Sequence, residues 1–364
     1  MKKIYWIGSR ESDIINESFF FGSITRFGSD NENNYSFCNN KFTDDYQTFI
    51  RLRTNEIVAS DSNSYFIFAN EMLAYQCGKD VYSKALCLNK LSAIEALSNK
   101  IFVRNYMSNV INVPECIVIN AGSANDILLV KAIFNNSTEN FVVQLPYGAG
   151  GEETVFLSNY EKKEPYSQQV LITPYIDNNV PINVHIAVSR NDYRVFPPSV
   201  QIIREDFKFT GSDYIQYNKL NGAIKQKVIN TCNEIAKKIC CLGCNGIFGV
   251  DLIVKDNAVY FLECNYRYQG STFLLNRALT ENGYPSFFKI QYNSFYNNLN
   301  KIPKDIYTMP IKYSSFRRTI DNKNVKLPTP YDIKIDGKDL YNKLRNGYVQ
   351  YEIFDQSITD LIQK

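Results

Sequence analysis

A chain of 364 residues that contains one histidine, His185, has little scope for imidazole chemistry. A histidine-rich metal centre is excluded. Zinc would need more than the one Cys-x-x-Cys at Cys241–Cys244, and His185 falls on a different expected strand. Long apolar runs are missing too: no stretch approaches the roughly 18 residues of a membrane span. The first residues, Met1-Lys-Lys-Ile-Tyr-Trp-Ile-Gly8, are too short in apolar side chains for a signal peptide and read as a strand. Neither charge is in marked excess. With 40 Lys and Arg against 37 Asp and Glu, and no basic run, no nucleic-acid groove is expected. The nine cysteines are therefore expected as reduced thiols in a cytoplasmic protein, with Cys232 and Cys240 as small buried hydrophobes on a helix. No Gly-x-Gly-x-x-Gly follows the first strand, so a dinucleotide site is unsupported.

Chemistry is concentrated instead in Gly249–Val254 and Val259–Arg267, two strand-like runs separated by a turn at Lys255-Asp-Asn257. Side chains alternate along a strand, so Glu263, Asn265 and Arg267 share a face. A hairpin brings Asp251 beside Glu263. Val250, Leu252, Val254, Tyr260 and Leu262 are expected on the opposite, buried face. Two carboxylates and an amide oxygen suit magnesium, which keeps waters and substrate phosphates as its other ligands. Arg267 stands where transferred phosphoryl charge would need neutralising. The alternative, a merely charged exposed hairpin, is opposed by the apolar context.

The chain reads as α/β with an α+β lid. Residues 1–85 form a small α/β unit with strands at Ile4–Ile7, Glu56–Ala59 and Tyr65–Phe68, and a polar loop at Ser29–Asn40. Residues 86–180 hold a mostly helical stretch, Lys84–Ser108, with Asn89 as an N-cap. A strand at Cys116–Ile119, a helix at Asn125–Phe134 and strands at Phe141–Leu145, Thr154–Leu157 and Gln169–Thr173 follow. Residues 181–284 hold strands at Pro181–Ser189 and Ser199–Ile203 and an amphipathic helix at Ala223–Leu242 that stops at Gly243. They also hold the metal-face hairpin and a helix at Thr272–Thr280. Residues 285–364 are an extension expected to pack on the body, without assigned chemistry.

Between two of these strands lies Gln144-Leu-Pro-Tyr-Gly-Ala-Gly-Gly-Glu-Glu-Thr154. Gly148, Gly150 and Gly151 let backbone N–H groups approach an anion, although a flexible hairpin turn has the same composition. No Gly-Lys-Ser/Thr follows, so this is not a Walker loop.

Taken in order, helix-opening Asn89-Lys90, the glycine hairpin, the strand Leu171-Ile-Thr-Pro-Tyr-Ile176, a long helix and Asp251…Glu263-x-Asn265-x-Arg267 resemble the ATP-grasp superfamily over roughly residues 1–280. The resemblance implies a small N-terminal α/β domain, a middle lid and a C-terminal ATP-grasp domain. Nucleotide is then held between the last two, with magnesium, as two ions, or manganese in its place. It implies Asp251, Glu263 and Asn265 as metal ligands and Arg267 as the arginine that steadies the acyl phosphate. It implies Lys90 as the first phosphate-binding lysine, Gly148, Gly150 and Gly151 as the flap, and the Pro174 carbonyl and Ile176 N–H as adenine partners. One position departs: where the family usually carries a second phosphate lysine, this chain has Gln144. That exchange is expected to weaken nucleotide binding by about tenfold, from the difference between charged and neutral hydrogen bonds.

In such enzymes a substrate carboxylate attacks the γ-phosphoryl group of ATP, and an amine or a thiol then takes the acyl group. This needs no strong base, as suits a chain with one histidine. His185 alternates with apolar residues, where a structural or ribose-side role is expected. Gln201 and Arg204 are candidates for holding a substrate carboxylate, although Arg204 can equally pair with Glu205 or Asp206. Three functions stay open: amide formation on an amine; loading of an amino acid such as glutamate onto an acyl carrier protein, with Lys312, Arg317 and Arg318 as a basic rim; and a nucleotide-binding scaffold without turnover. No membrane or nucleic-acid partner is expected, and the sequence does not indicate an oligomeric state.

Overall fold

The computed structural model describes residues 2–14, 17–120, 130, 133–134, 140–148, 151, 154–160, 169–190, 192–319, 333–335 and 348–362. Three sheets carry the fold. The first is parallel throughout, in the order β3-β2-β1-β4-β5, from β1 (Lys3–Arg10), β2 (Gly22–Phe27), β3 (Asn34–Ser36), β4 (Ser64–Phe68) and β5 (Ala85–Leu86). The second is a four-stranded antiparallel sheet, β6-β9-β7-β8, from β6 (Ile117–Asn120), β7 (Phe141–Gln144), β8 (Thr154–Phe156) and β9 (Gln169–Pro174).

The third sheet has nine strands, in the order β15-β14-β10-β12-β13-β16-β18-β17 with β11 beside β10. Its strands are β10 (Val180–Ser189), β11 (Asp192–Val195), β12 (Ser199–Ile203), β13 (Phe209–Asp213), β14 (Gly246–Lys255), β15 (Ala258–Asn265), β16 (Tyr313–Thr319), β17 (Ile333–Ile335) and β18 (Tyr348–Phe354). Residues beyond 285 thus build an edge of this sheet rather than an appendage.

The long helix runs Gly222–Cys241, with the side chain of Asn221 accepting from the Ala223 N–H. Its buried face, Ile224, Val228, Cys232, Ile235 and Ile239, packs on Val184, Ile186, Phe248 and Val250 of β10 and β14. Each such side chain contributes about 1.5–3 kcal/mol by leaving water. The exposed Cys241 and buried Cys244 are free thiols, and no group of three His, Cys, Asp or Glu among the described residues could hold a metal.

Several sequence expectations change. Glu56–Ala59 belongs to a helix, Tyr46–Ser60, capped by Asp45. Its buried Phe49, Ile50, Thr54 and Ile57 lie at helical spacing, and a four-residue apolar run cannot distinguish helix from strand. The polar stretch Ser29–Asn40 contains β3 and a turn at Phe37–Asn39. Asn89 caps nothing: it accepts from the Asn245 N–H and donates to Glu71 and to the Asn245 carbonyl, while Lys90 stands at the start of helix Leu91–Ser98. The expected helix Asn125–Phe134 lies largely outside the described residues.

Candidate active site

The hairpin of β14 and β15 pairs Asp251 with Glu263 and Gly249 with Asn265. Simple alternation does not describe it. After Asp251–Glu263 the next pair is Leu252–Phe261, so Leu262 is an extra residue in a bulge. The bulge resets the parity of β15. Val259 and Phe261 therefore join Val250 and Leu252 in the core, in place of the expected Tyr260 and Leu262. Glu263 and Asn265 stay on the side of Asp251. The bulge also leaves the Leu262 carbonyl free to accept from Arg104 Nε at 2.9 Å.

The polar face is tightly bonded. Asn265 Nδ2 donates to Asp251 Oδ2 at 2.7 Å and to Glu263 Oε1 at 3.2 Å. Asp251 Oδ1 accepts from Asn183 of β10 at 2.7 Å and from Gln201 of β12 at 3.0 Å. Asn183 is itself held by Ser271 Oγ at 2.9 Å. Burial, then the adjacent Glu263 charge, pushes the Asp251 carboxyl up to about 7. Burial acts the same way on Glu263, but Lys100 and Arg267 outweigh it and hold that carboxyl below its ordinary range. Two carboxylates that share one amide donor and resist joint ionisation form a site that a divalent cation would relieve. Rotating the Asn265 amide would offer its oxygen as a third hard ligand.

Lys100 was not singled out in the sequence. Its Nζ, on a side chain only 7% exposed, lies 3.2 Å from Glu263 Oε2 and 3.2 Å from the Gly148 carbonyl. Asn99 caps its helix, Lys100–Met107, by accepting from the Ile101 and Phe102 N–H groups. The same junction anchors the glycine loop: the Lys100 N–H donates to the Pro146 carbonyl, and Asn99 Nδ2 to Tyr147 Oη. Lys90 is exposed and does not line the cavity described below. The chain contains Asn-Lys at 89–90 and at 99–100, each opening a helix, and the second carries the buried cation.

The polar face borders a cavity of about 500 Å³; Lys100 stands behind Glu263 and, like Lys90, is not one of its lining residues. Gln144, Gly151 and Thr154 bound it from the small sheet, and Asn183, Gln201, Asp251, Glu263, Asn265 and Arg267 from the large one. Ser9, Arg10 and Arg26 close it from the first sheet, at the carboxyl ends of β1 and β2, the end where open parallel sheets place ligands. Arg10 is ion-paired with Asp13 at 3.1 Å. Asn70 and Arg267 form a β-bridge that joins the first sheet to the metal-face hairpin.

Gly151 has φ +83°, and a Cβ there would stand 2.1 Å from the Phe207 carbonyl oxygen, so the glycine loop touches the β12–β13 turn. Phe156, Tyr175 and Phe207 cluster at the same junction, with the Phe156 and Phe207 rings 4.7 Å apart. Gly148 lies in the loop, and Gly150 falls outside the described residues. Pro174 ends β9, and Ile176 follows it half-buried, with its carbonyl accepting from Asn179; neither lines the cavity.

Of the two substrate candidates, Gln201 reaches the cavity but is spent on Asp251. Arg204 points away, exposed and paired with Asp206 at 2.9 Å, because the tight β12–β13 turn places the two side chains together. His185 is buried, bonded to Thr272 Oγ1 at 3.0 Å, and burial lowers its pKa to about 3, so it is a neutral core residue. Lys312 is exposed, and the side chains of Arg317 and Arg318 lie outside the described residues.

Residues 97–271 match the family model of an ATP-grasp domain. No curated protein sequence matches the chain. In three dimensions it is similar to an N5-carboxyaminoimidazole ribonucleotide synthetase solved with ADP, at TM-score 0.67 and 15% identity over 99% of this chain and 94% of that one. It is similar to the biotin carboxylase of Campylobacter jejuni, at TM-score 0.65 and 12% identity over 97% and 87%. It is also similar to the L-amino acid ligase of Bacillus licheniformis, at TM-score 0.61 and 12% identity over 99% and 95%.

Proposed function

The chain belongs to the ATP-grasp superfamily through its domain at residues 97–271, and we propose that it activates a carboxylate with ATP and passes the acyl group to an amine, releasing ADP and phosphate. The observation that carries this reading is the buried face of Asp251, Glu263 and Asn265 on one cavity, with Gly151 of the glycine loop across it and Lys100 paired with Glu263 from behind.

A carboxylate oxygen attacks the γ-phosphorus, and the bond to the bridging oxygen breaks with its electrons to ADP. The amine then attacks the acyl carbon, loses a proton, and phosphate leaves. Magnesium, held by Asp251, Glu263 and Asn265, would supply neutralisation of phosphate charge. Lys100 holds the phosphates from the loop side while fixing Glu263. Arg267, at the end of the hairpin, faces the charge that develops on the acyl phosphate and on the tetrahedral species after it. Pro174 and Ile176 remain the backbone partners proposed for adenine. Arg10 and Arg26 line the cavity from the first sheet and are the cations offered to the carboxylate substrate. The amino acid ligase among the similar structures makes amino acids the first donors to try.

The test is ADP release with MgATP and a panel of amino acids, other small carboxylates and bicarbonate, with hydroxylamine to trap acyl phosphate. Donor-dependent ADP with hydroxamate supports the reading. AMP and pyrophosphate would overturn it in favour of adenylation, and turnover only with a carrier-protein thiol would move the acceptor from amine to thiol.

A further inference from the structure

We infer that Arg104 is a positioning residue that supplies, from one layer behind the cavity wall, the positive charge a lysine at position 144 would place in the cavity. This rests on the ATP-binding reading and adds to it.

Arg104 is 2% exposed on helix Lys100–Met107. Its guanidinium donates to three neutral acceptors: the Leu262 carbonyl at 2.9 Å, Thr173 Oγ1 at 3.0 Å and Gln144 Oε1 at 2.7 Å. No carboxylate among the described residues lies within 4.0 Å of it. Buried cations are ordinarily neutralised by a partner anion. Here the three bonds tie the guanidinium to β15, β9 and β7, of which β15 and β7 line the cavity, while the Cys116 thiol and, at longer range, Glu263 also act on its charge.

The bond to Gln144 has a directional consequence. A guanidinium has donors and no acceptor, so it fixes the amide oxygen towards itself and turns the NH2 group away. That NH2 reaches Thr154 Oγ1 at 3.3 Å, and both side chains line the cavity. Gln144 therefore presents oriented donors backed by a full positive charge. The Leu262 bulge is part of the device, because it frees the carbonyl that holds Nε. A lysine in place of Gln144 would abut Arg104 with like charge, so the two positions cannot both be cationic at no cost.

The experiment measures MgADP affinity and nucleotide-free thermal stability for the parent, Gln144→Glu, Gln144→Lys, Arg104→Gln and the double variant Arg104→Gln/Gln144→Lys. Gln144→Glu is expected to raise stability by pairing with Arg104 while weakening MgADP at least about tenfold, as a charge at the donor position is reversed. Gln144→Lys is expected to lose both stability and affinity, and the double variant to recover affinity to within about threefold of the parent, a coupling that independent sites do not show. If Gln144→Glu gains stability with unchanged affinity, or the affinity changes in the cycle simply add, the pair is structural and the inference is overturned. A folded parent that binds no nucleotide overturns the ATP reading and the inference with it. The parent measurement thus separates the two failures.

Discussion

The proposed metal face and the proposed phosphate-binding region beside the cavity are built by opposite means. Asp251, Glu263 and Asn265 come from one hairpin and form a local network of short bonds. Lys100, Gly148, Gln144 and Arg104 come from a helix and a loop that are far apart in sequence, and each relies on contacts with the others. The first region concentrates its chemistry in a few carboxylate atoms. The second distributes charge through a carbonyl, an amide and two cations. A concentrated site fails at one substitution, whereas a distributed one degrades by steps.

The comparison is broken most severely at Glu263. Replacing it with Gln removes a hard ligand and leaves Lys100 without its carboxylate, so ADP release is expected to fall by on the order of a thousandfold. Steady-state turnover at saturating MgATP measures this, and a drop under tenfold would mean that the face is not a metal site. Next is Lys100→Met, which removes a charged hydrogen bond worth about 1.5–3 kcal/mol and should raise the KM for ATP by about ten- to a hundredfold. Lys90→Met should stay within about twofold, the range of a neutral surface change. If the two lysines exchange these outcomes, the buried cation is not the phosphate lysine.

Acid separates the regions differently. His185 of β10 pairs with Gly249, two residues along from the Asn183–Asp251 pair and on the same side of the sheet. Its folded pKa is lowered to about 3, so between pH 3 and about 6.5 the unfolded chain binds more protons. The stability is fully present above pH 6.5 and is lost as pH falls, by about 2 kcal/mol at pH 5. Urea midpoints at pH 8 and pH 5, compared with those of His185→Gln, check the sign; a variant that loses as much as the parent would locate the acid sensitivity elsewhere. The smallest effect is expected at the glycine loop. Gly151→Ala meets a positive φ and the Phe207 carbonyl, a strain of about 1–3 kcal/mol that a loop can partly relax by lifting from the β12–β13 turn. A modest rise in KM for ATP with little change in melting temperature is the expected pattern.

Legibility in the sequence follows the same division. The hairpin that brings Asp251 beside Glu263 could be read because a turn at Asp256-Asn257 and alternating side chains encode it within seventeen residues, Asp251 to Arg267. What alternation could not supply was the bulge at Leu262, since an inserted residue leaves no mark in an apolar pattern that is shifted by one. The phosphate end was read only in part. Two Asn-Lys pairs open two helices ten residues apart, and nothing local ranks them. The choice falls to Lys100 because Pro146 and Gly148 of a distant loop land on it. Arg104 carried no signal at all: its role depends on three strands converging on one guanidinium. Arg204 shows the reverse, a site-like residue consumed by its own turn. Strands β13 and β16, Phe-Thr-Gly-Ser-Asp and Tyr-Ser-Ser-Phe-Arg-Arg-Thr, are polar enough that their alternation does not stand out from loop.

The pairing of β13 with β16 has a consequence in time as well as in space. Gly211 lies opposite Phe316, so this edge of β13 must wait for more than a hundred further residues to leave the ribosome. At ordinary synthesis rates of roughly 5–20 residues per second, the wait is on the order of 5–20 s. In the later part of that interval, after Arg267 is made and before Phe316 is, a nascent chain that contains Asp251, Glu263 and Asn265 still carries an open strand edge. Its exposure to wrong partners is set by the speed of translation, and slow codons between positions 211 and 316 would lengthen it without changing a single amino acid.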